Sequence, residues 1–239
     1  MMIDIPVYMD YSATTPCDER VVNEILPYFT KYFGNAASGI HSFGWQAAAA
    51  IEQARERVAR LINAQAREII FTSGATEACN LALRGVFEMY AVKGNHIITT
   101  TTEHKAVLDT CKVLEKKGAE ITYLNVDRNG MINPEDLSAA IKPTTILVSI
   151  MYANNETGVI QPIQEAGRIC KKQKVLFFCD ATQAVGKIPV DVLVSGIDLM
   201  AFSAHKIYGP KGVGALYIRS RNPRVKITPQ ITGGGHENN

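Results

Sequence analysis

Residues 199–212 have the sequence Leu199-Met-Ala-Phe-Ser-Ala-His-Lys-Ile-Tyr-Gly-Pro-Lys-Gly212, in which four apolar residues lead into Ser203, Ala204, His205 and Lys206. The run predicts a buried strand, and the glycines and proline at 209–212 predict an interruption of regular structure. Lys206 therefore stands at the end of a buried strand. A partly desolvated lysine loses its proton more readily, and its neutral amine can form a Schiff base with an aldehyde. From this stretch alone, a solvated loop lysine is an equally open interpretation.

The composition is that of an ordinary soluble globular protein. The chain has 239 residues, of which 46% are hydrophobic and 20% charged, and its net charge is +2. This length supports one large domain with a buried core, and the charge balance gives no reason to expect binding to nucleic acid. The N-terminus lacks the features of a secretory signal, and no apolar run approaches the roughly 20 residues that span a bilayer. We therefore expect a cytoplasmic protein that does not bind a membrane.

The cysteines are odd in number and widely scattered, and no two form a Cys-x-x-Cys pair. This spacing predicts neither a disulfide framework nor a zinc site, and we expect no bound metal. We expect reduced thiols that lie mostly in the core. They are Cys17, Cys79, Cys111, Cys170 and Cys179.

Strand and helix patterns alternate through most of the chain, after two predicted helices at about 18–32 and 45–62. The predicted strands are 68–72, 96–100, 121–126, 145–151, 175–179 and 199–202, and the helices between them are 77–92, 106–117, a short one after Asn133-Pro134, and 163–172. This alternation predicts βαβ units in one domain, and hence an α/β fold with a mostly parallel sheet and helices on both faces. Because ligands of such folds bind at the carboxyl ends of the strands, polar residues there are the candidates for a site.

The turn after the strand at 68–72 reads Ser73-Gly-Ala-Thr-Glu77 and opens a predicted helix. Backbone N–H groups at a helix N-terminus, with hydroxyl groups beside them, can bind a phosphate. In the other interpretation Thr76 simply caps the helix, which is the more frequent use of such a turn.

Polar residues also follow the next strands. His104, after the strand at 96–100, could stack on a planar cofactor or transfer a proton near neutral pH, or it could be a loop histidine with its hydrogen bonds satisfied. Asn154, Asn155 and Glu156 follow the strand at 145–151 in a non-helical turn. They serve either turn formation or ligand contacts.

Asp180 ends the strand at 175–179. A buried carboxylate is costly unless it meets a cation, and a protonated pyridine nitrogen is such a cation; a structural arginine or lysine is the alternative partner. Ser203 and His205 flank the lysine at 206. Taken together, the strand ends offer a phosphate site, a ring-stacking group, a partner for a pyridinium and an amine. These are the parts of one pocket for pyridoxal 5'-phosphate (PLP).

Longer motifs extend over nearly the whole chain. They are Asp10-Tyr-Ser-Ala-Thr-Thr-Pro, Phe71-Thr-Ser-Gly-Ala-Thr-Glu, Thr102-Glu-His-Lys-Ala-Val-Leu-Asp, Asn154-Asn-Glu-Thr-Gly, Asp180-Ala-Thr-Gln-Ala-Val-Gly, Ser203-Ala-His-Lys-Ile-Tyr-Gly-Pro-Lys-Gly and Gly233-Gly-Gly-His-Glu. Together they closely resemble the motifs of cysteine desulfurases of the IscS/NifS type, which are class V members of the fold-type I PLP enzymes.

The resemblance implies roles for residues around the cofactor ring. Lys206 would bind PLP covalently, and Asp180 would pair with the pyridine nitrogen. Gln183 would donate a hydrogen bond to the phenolic oxygen, and His104 would stack on the ring. Asn155 would contact the cofactor or the substrate. Lys206 and His104 would be the catalytic residues, which could both transfer protons.

The resemblance also implies a phosphate site and a set of partners. Thr76, Ser203 and His205 would bind the phosphate with the backbone of Ala75, and the partner chain of a homodimer would complete the site. The implied reaction converts L-cysteine to L-alanine and passes sulfur to an enzyme cysteine. An iron–sulfur scaffold or a tRNA-thiolation protein would accept that sulfur.

The sequence departs from the family pattern at its end. The family continues past Gly-Gly-Gly-His-Glu into a glycine, an Arg-Ser-Gly-Thr-like segment and a smaller domain, whereas Asn239 stands here where the glycine is expected. The arginine for the substrate carboxylate and the loop with the nucleophilic cysteine belong to that further part of the family.

We therefore expect residues 1–239 to form the PLP-binding large domain, with about 1–15 assigned to a second, smaller domain in an alternative division. We also expect that this chain alone does not turn over L-cysteine. Two other interpretations are a non-catalytic protein of the same fold that binds or dimerises, and an enzyme similar to selenocysteine lyase.

Overall fold

The computed structural model describes residues 6–235 and residue 237. The helices are α1 (Glu19–Thr30), α2 (Ser42–Leu61), α3 (Ala75–Met89), α4 (Lys105–Glu115), α5 (Pro134–Ala140) and α6 (Ile163–Gln173). The strands are β1 (Ile69–Thr72), β2 (His96–Thr100), β3 (Glu120–Leu124), β4 (Thr145–Ser149), β5 (Leu176–Asp180), β6 (Leu199–Ser203) and β7 (Gly214–Ile218). Short 3₁₀ turns occupy Ala66–Glu68 and Ala204–Lys206. In this part of the chain, no helix is long and apolar enough to cross a membrane.

Some of the sequence features fall outside the described residues. These are residues 1–5 and, in the C-terminal motif, His236, Asn238 and Asn239. The difference from the family motif at Asn239, where a glycine is expected, is therefore known from the sequence only.

The strands form one seven-stranded sheet in the order β1-β7-β6-β5-β4-β2-β3. Strands β2 to β6 pair in parallel, whereas β7 runs antiparallel to both of its neighbours, β6 and β1. All strands except β7 therefore point the same way, which confirms the α/β fold with a mostly parallel sheet. Strand β7 was not predicted, because the turn residues at 209–212 mark only where the preceding strand ends.

The helices cover both faces of the sheet, as predicted. In β5, Phe177 and Cys179 pack in the cluster that includes residues of α5 and α6, while Leu176 and Phe178 pack in the cluster that includes residues of α3 and α4. The alternation follows from the two-residue period of a strand. Both phenylalanines are fully buried, and the burial of each contributes about 2–3 kcal/mol. A strand buried on both faces explains why the pattern at 175–179 is continuously apolar.

Several helices begin earlier than the sequence predicts. Helix α2 begins at Ser42 instead of 45, and the Nδ1 atom of His41 accepts a hydrogen bond from the N–H of Gly44. Helix α3 begins at Ala75 instead of 77. The early start of α2 was not predicted because the side chain that caps it is an imidazole, whereas Ser, Thr, Asp and Asn are the usual N-cap residues.

The segment before α1 lies against the loop that carries Lys206. The N–H of Thr15 donates to the carbonyl oxygen of His205 at 2.9 Å, and the N–H of Asp18 donates to that of Tyr208 at 2.9 Å. These contacts join the beginning of the chain to residues that are nearly 200 positions away. The assignment of residues 1–15 to a second domain stays a prediction.

Helix α1 presents apolar side chains to solvent. None of its residues is buried against the rest of the described chain, and Leu26 and Phe29 are 55% and 73% exposed. Phe33 and Trp45 add further exposed aromatic surface in the same part of the sequence. Apolar patches of this kind typically mark contact surfaces.

Candidate active site

The carboxyl ends of the parallel strands border a cavity of about 760 Å³. All of the predicted site residues line it: Ala75, Thr76, His104, Asn155, Asp180, Gln183, Ser203, His205 and Lys206. They end or follow β1, β2, β4, β5 and β6, so the strand-end rule explains why residues so far apart in sequence meet here. The cavity therefore contains the complete set of candidate residues.

The start of α3 leaves backbone donors at the cavity. Gly74 is the N-cap residue, and within the described structure no side chain caps the helix there. The first N–H groups of a helix have no carbonyl partner inside the helix, so those of Ala75 and Thr76 can bind an anion. Ser73 donates from its N–H and its hydroxyl to Glu77 at 2.7 and 2.5 Å, which fixes the turn. The alternative in which Thr76 caps the helix is wrong, because Thr76 lies inside the first turn.

Cations and hydroxyls surround the same end of the cavity. Ser203, His205 and Lys211 line it, and the hydroxyl of Thr14 lies 3.1 Å from Nδ1 of His205. Burial lowers the pKa of His205, and the charges of Lys206 and Lys211 lower it further. The positive charge at this end therefore comes from the two lysines and the helix N-terminus, while His205 contributes a neutral imidazole.

A close backbone contact holds this turn against the sheet. Gly214 of β7 pairs with Thr72 of β1 and with Ser203 of β6. A Cβ atom at Gly214 would lie 2.6 Å from the Cα atom of Gly74. Only glycine allows β7 to pass so close beneath the start of α3.

Replacing Gly214 by alanine is expected to lower the free energy of unfolding by about 2 kcal/mol or more, because backbone atoms must move to accommodate the added methyl group. Chemical denaturation of the purified protein measures this effect. Gly39 is the matched control, since a Cβ atom there would meet nothing within 4 Å. Equal stabilities of the Gly214→Ala and Gly39→Ala variants would contradict the contact.

His104 and the asparagine turn combine structural bonds with a place in the cavity. His104 is the N-cap of α4, and its Nδ1 atom accepts from the N–H of Ala106 at 3.1 Å. This bond holds the ring in place, and the side chain lines the cavity. Asn154 is used by the turn: its Oδ1 atom accepts from the N–H groups of Glu156 and Thr157, and its Nδ2 atom donates to the backbone. Only Asn155 of the pair lines the cavity.

Asp180 is a buried carboxylate whose partners are neutral donors. Its Oδ1 atom accepts from the N–H of Thr182 at 3.0 Å and from the hydroxyl at 2.5 Å, and the thiol of Cys79 lies 3.9 Å from Oδ2. Among the described residues it forms no ion pair with a lysine or an arginine. The alternative of a structural basic partner is therefore wrong, and the carboxylate can still meet a cation in the cavity.

Lys206 is half-buried beside the N-terminal segment. Its Nζ atom donates to the carbonyl oxygens of Ser12 and Ala13 at 2.6 and 2.7 Å. Burial lowers the pKa of Lys206, although the charges of Asp10 and Asp180 act in the opposite direction. A lowered pKa increases the fraction of the lysine that is neutral and nucleophilic at neutral pH. Gln183 contacts the same segment, since its Nε2 atom donates to the oxygen of Ser12 at 3.0 Å.

Comparison with known proteins identifies the family. The sequence model described as "Aminotransferase class-V" matches residues 7–238. The chain belongs to the class-V aminotransferase family. Within it, the chain is 56% identical over 237 residues to the cysteine desulfurase IscS of Neisseria meningitidis serogroup C / serotype 2a, and 57% identical over 233 residues to that of Anaeromyxobacter dehalogenans (strain 2CP-C).

These alignments cover 99% and 98% of this class-V aminotransferase chain but only 58% and 57% of the two relatives. Solved structures of related proteins show the same fold and a similar partial coverage. A NifS-like protein superposes with a TM-score of 0.93 at 45% identity, covering 97% of this chain and 63% of that one. The protein SspA in complex with cysteine superposes with a TM-score of 0.92 at 41% identity, covering 96% and 66%. The chain therefore spans little more than half the length of the curated relatives that it matches.

The cavity fits PLP, the cofactor of class-V aminotransferases and of the cysteine desulfurases among them. The uncapped start of α3, with Ser203 and two lysines, suits a phosphate dianion. Asp180 offers a carboxylate that has no basic side-chain partner among the described residues, so it can pair with a protonated pyridine nitrogen. Lys206 offers an amine whose pKa burial lowers.

Two features of this class-V aminotransferase cavity do not follow from the strand-end rule. Asp10, Ser12, Ala13 and Thr14 line it, although they precede the first strand. Their only signal was the motif at 10–16. The second feature is Glu103, a buried carboxyl group whose pKa the charge of Asp180 helps to raise. It was visible only as the neighbour of His104.

Proposed function

We propose that the protein is a PLP-dependent cysteine desulfurase, which converts L-cysteine to L-alanine and passes the sulfur to an enzyme cysteine. The observation that carries the proposal is the meeting of Lys206, Asp180 and the uncapped start of α3 in one cavity. The desulfurase names of the relatives support the choice of reaction, and the cysteine in the SspA complex supports the choice of substrate.

The chain's own residues would divide the work as follows. When bound, PLP supplies an electron sink that lowers the barrier to loss of the substrate Cα proton. Lys206 would hold the cofactor, and its Nζ atom is the amine that would accept and return that proton. Asp180 keeps the pyridine nitrogen protonated. His104 covers one face of the ring, and Gln183 donates to the phenolic oxygen.

The remaining candidates bind the phosphate and the substrate side. The N–H groups of Ala75 and Thr76 bind the phosphate oxygens, and Ser203 and His205 add side-chain bonds. Asn155 contacts the cofactor or the substrate from the turn after β4. These assignments agree with the position of each residue at the cavity.

The sulfur-accepting thiol is assigned to none of the buried cysteines. Burial raises the pKa of Cys79, Cys111, Cys170 and Cys179, for Cys111 to about 12. A protonated and buried thiol is a poor nucleophile. We propose that a cysteine other than these four receives the sulfur.

The proposal extends to partners. We propose a cytoplasmic homodimer that delivers sulfur to an acceptor protein, such as an iron–sulfur scaffold or a tRNA-thiolation protein. The exposed apolar side chains of α1 and of Phe33 and Trp45 support an interface with a second chain. Nucleic acid is not proposed as a direct partner, because the net charge is only +2.

The test is to incubate the PLP-loaded protein with L-cysteine and dithiothreitol in D₂O, and to measure deuterium at Cα, alanine and sulfide. Deuterium at Cα with alanine and sulfide would support the full reaction. Deuterium at Cα without alanine would restrict these residues to proton transfer and would leave the transfer of sulfur unsupported. Recovery of L-cysteine without deuterium would contradict the proposed function.

Replacing Asp180 by asparagine is expected to slow this exchange about 100-fold or more, because the carboxylate charge facing the pyridine nitrogen is lost while the side-chain volume is kept. Deuterium incorporation at Cα measures the effect. The control is Asp109→Asn, which changes an exposed aspartate of α4. An exchange rate equal to that of the wild type would remove Asp180 from its proposed role.

A further inference from the structure

The loop that carries Lys206 contains a strained residue. Tyr208 has a φ of 62°, in the left-handed region, although it is not glycine. A bulky residue holds this conformation only when its surroundings impose it, at a cost of about 1–3 kcal/mol. The backbone that follows Lys206 must therefore be held from outside the loop.

Thr15 supplies that support from the other end of the chain. Its N–H and its hydroxyl both donate to the carbonyl oxygen of His205, at 2.9 and 3.1 Å. Its hydroxyl oxygen accepts from the N–H of Tyr208 at 2.8 Å. One side chain thus bridges the residue before Lys206 and the residue two positions after it.

The bridge is buried and is reinforced on both sides. Thr15 is only 7% exposed. Next to it, the N–H of Asp18 donates to the carbonyl oxygen of Tyr208, and the carbonyls of Ser12 and Ala13 accept from Lys206 itself. A buried hydroxyl that satisfies one acceptor and one donor is costly to remove, because both partners lose a bond that water does not replace.

We propose that Thr15 is a positioning residue for Lys206, whose hydroxyl fixes the 3₁₀ turn that carries the lysine. The inference rests on the proposed role of Lys206 as the cofactor-binding residue. Thr15 touches neither cofactor nor substrate in this role. It sets the direction of the lysine side chain and the share of time that its Nζ atom spends at the cavity.

The test compares Thr15→Val, which keeps the shape and loses the hydroxyl, with Thr15→Ser, which keeps the hydroxyl. The first measurement is competitive acetylation of Lys206 in the cofactor-free protein, quantified by mass spectrometry against the exposed Lys112. The second is the dissociation constant of PLP. In Thr15→Val we expect acetylation about tenfold faster and PLP affinity about tenfold weaker. In Thr15→Ser we expect values within about twofold of the wild type.

Thr110→Val is the matched control, because Thr110 is also a buried threonine whose hydroxyl donates to a backbone carbonyl, that of Ala106. It is expected to leave both readouts unchanged. If Thr15→Val lowers only the unfolding temperature, with acetylation of Lys206 and PLP affinity as in the wild type, Thr15 is merely structural and the inference is wrong.

Two further measurements make the result decisive. If Thr15→Val does not fold, hydrogen exchange of the Tyr208 amide in the wild type decides: protection supports the bridge, and exchange at the rate of a free amide overturns it. If acetylation accelerates as expected but borohydride fixes no PLP on the wild type, the proposed function fails while the bracing by Thr15 stands.

Discussion

Lys206→Ala is expected to abolish the covalent attachment of PLP completely. Of the two lysines that line the cavity in the described structure, Lys206 is the nearer to the end of a buried strand, since it ends the 3₁₀ turn Ala204–Lys206 that follows β6. Alanine removes the nucleophile and leaves the strand and turn in place. The measurements are the visible absorption of the lysine-bound cofactor and the mass of the peptide that carries PLP after borohydride reduction. Both signals should be absent.

Non-covalent binding should partly survive in this variant, because the phosphate site at the start of α3 does not depend on the lysine. Lys206→Arg keeps the charge but offers no comparable nucleophile, so it should also lack the adduct. Lys112→Ala, an exposed change on α4, is the control and should retain it. An adduct that persists on Lys206→Ala, with Lys211 as the modified residue, would move the attachment site to the neighbouring lysine.

The strand-end rule predicted which residues past the sheet line the cavity, because each lies at or after the end of a strand. His104 and Lys206 follow β2 and β6, and Asp180 is the last residue of β5. Parallel strands bring their carboxyl ends to one edge of the sheet, so the sequence order of these residues becomes a spatial cluster. This part of the cavity could therefore be predicted from the local strand patterns and from the rule that parallel strands end at the same edge of the sheet.

The remaining features depend on contacts that no local pattern encodes. Strand β7 reverses direction, and its position beneath α3 is allowed by one glycine, Gly214. Thr15 meets the lysine loop across most of the length of the chain. Thr76 looked like a cap, but Gly74 takes the N-cap position and the helix begins at Ala75. Tertiary contacts decided each of these cases.

The protonation state of Glu103 is set by the residues that surround it in the fold. Its Oε1 atom accepts from the hydroxyl of Thr100 at 3.0 Å and from the N–H of Met151 at 2.7 Å. Its Oε2 atom has no hydrogen-bond partner among the described residues. Burial, helped by the charge of Asp180 and opposed by the two hydrogen bonds, raises the pKa of Glu103 from 4.5 to about 8. At neutral pH this carboxyl group is protonated.

Glu103→Gln is therefore expected to stabilise the protein at neutral and alkaline pH. The ordinary pKa of 4.5 applies to the unfolded chain and the pKa of about 8 to the folded protein. Between these values only the folded protein keeps the proton, so the wild type loses about 1.4 kcal/mol of unfolding free energy per pH unit. Glutamine keeps the Oε1 acceptor and does not titrate. The advantage of the variant should be near zero below pH 4.5 and should approach about 5 kcal/mol by pH 8.

Urea denaturation of both proteins across this pH range measures the difference. The control is Glu56→Gln in α2, where the side chain is exposed and stays in water in both states. Its stability curve should run parallel to that of the wild type. The shape of the Glu103→Gln difference is the decisive observation, because burial of a neutral carboxyl group requires a rise with pH that levels off above about 8. A constant difference would mean that glutamine only repacks the site, and a loss of stability at all pH values would mean that Glu103 is ionised in the folded protein and that its charge is needed there.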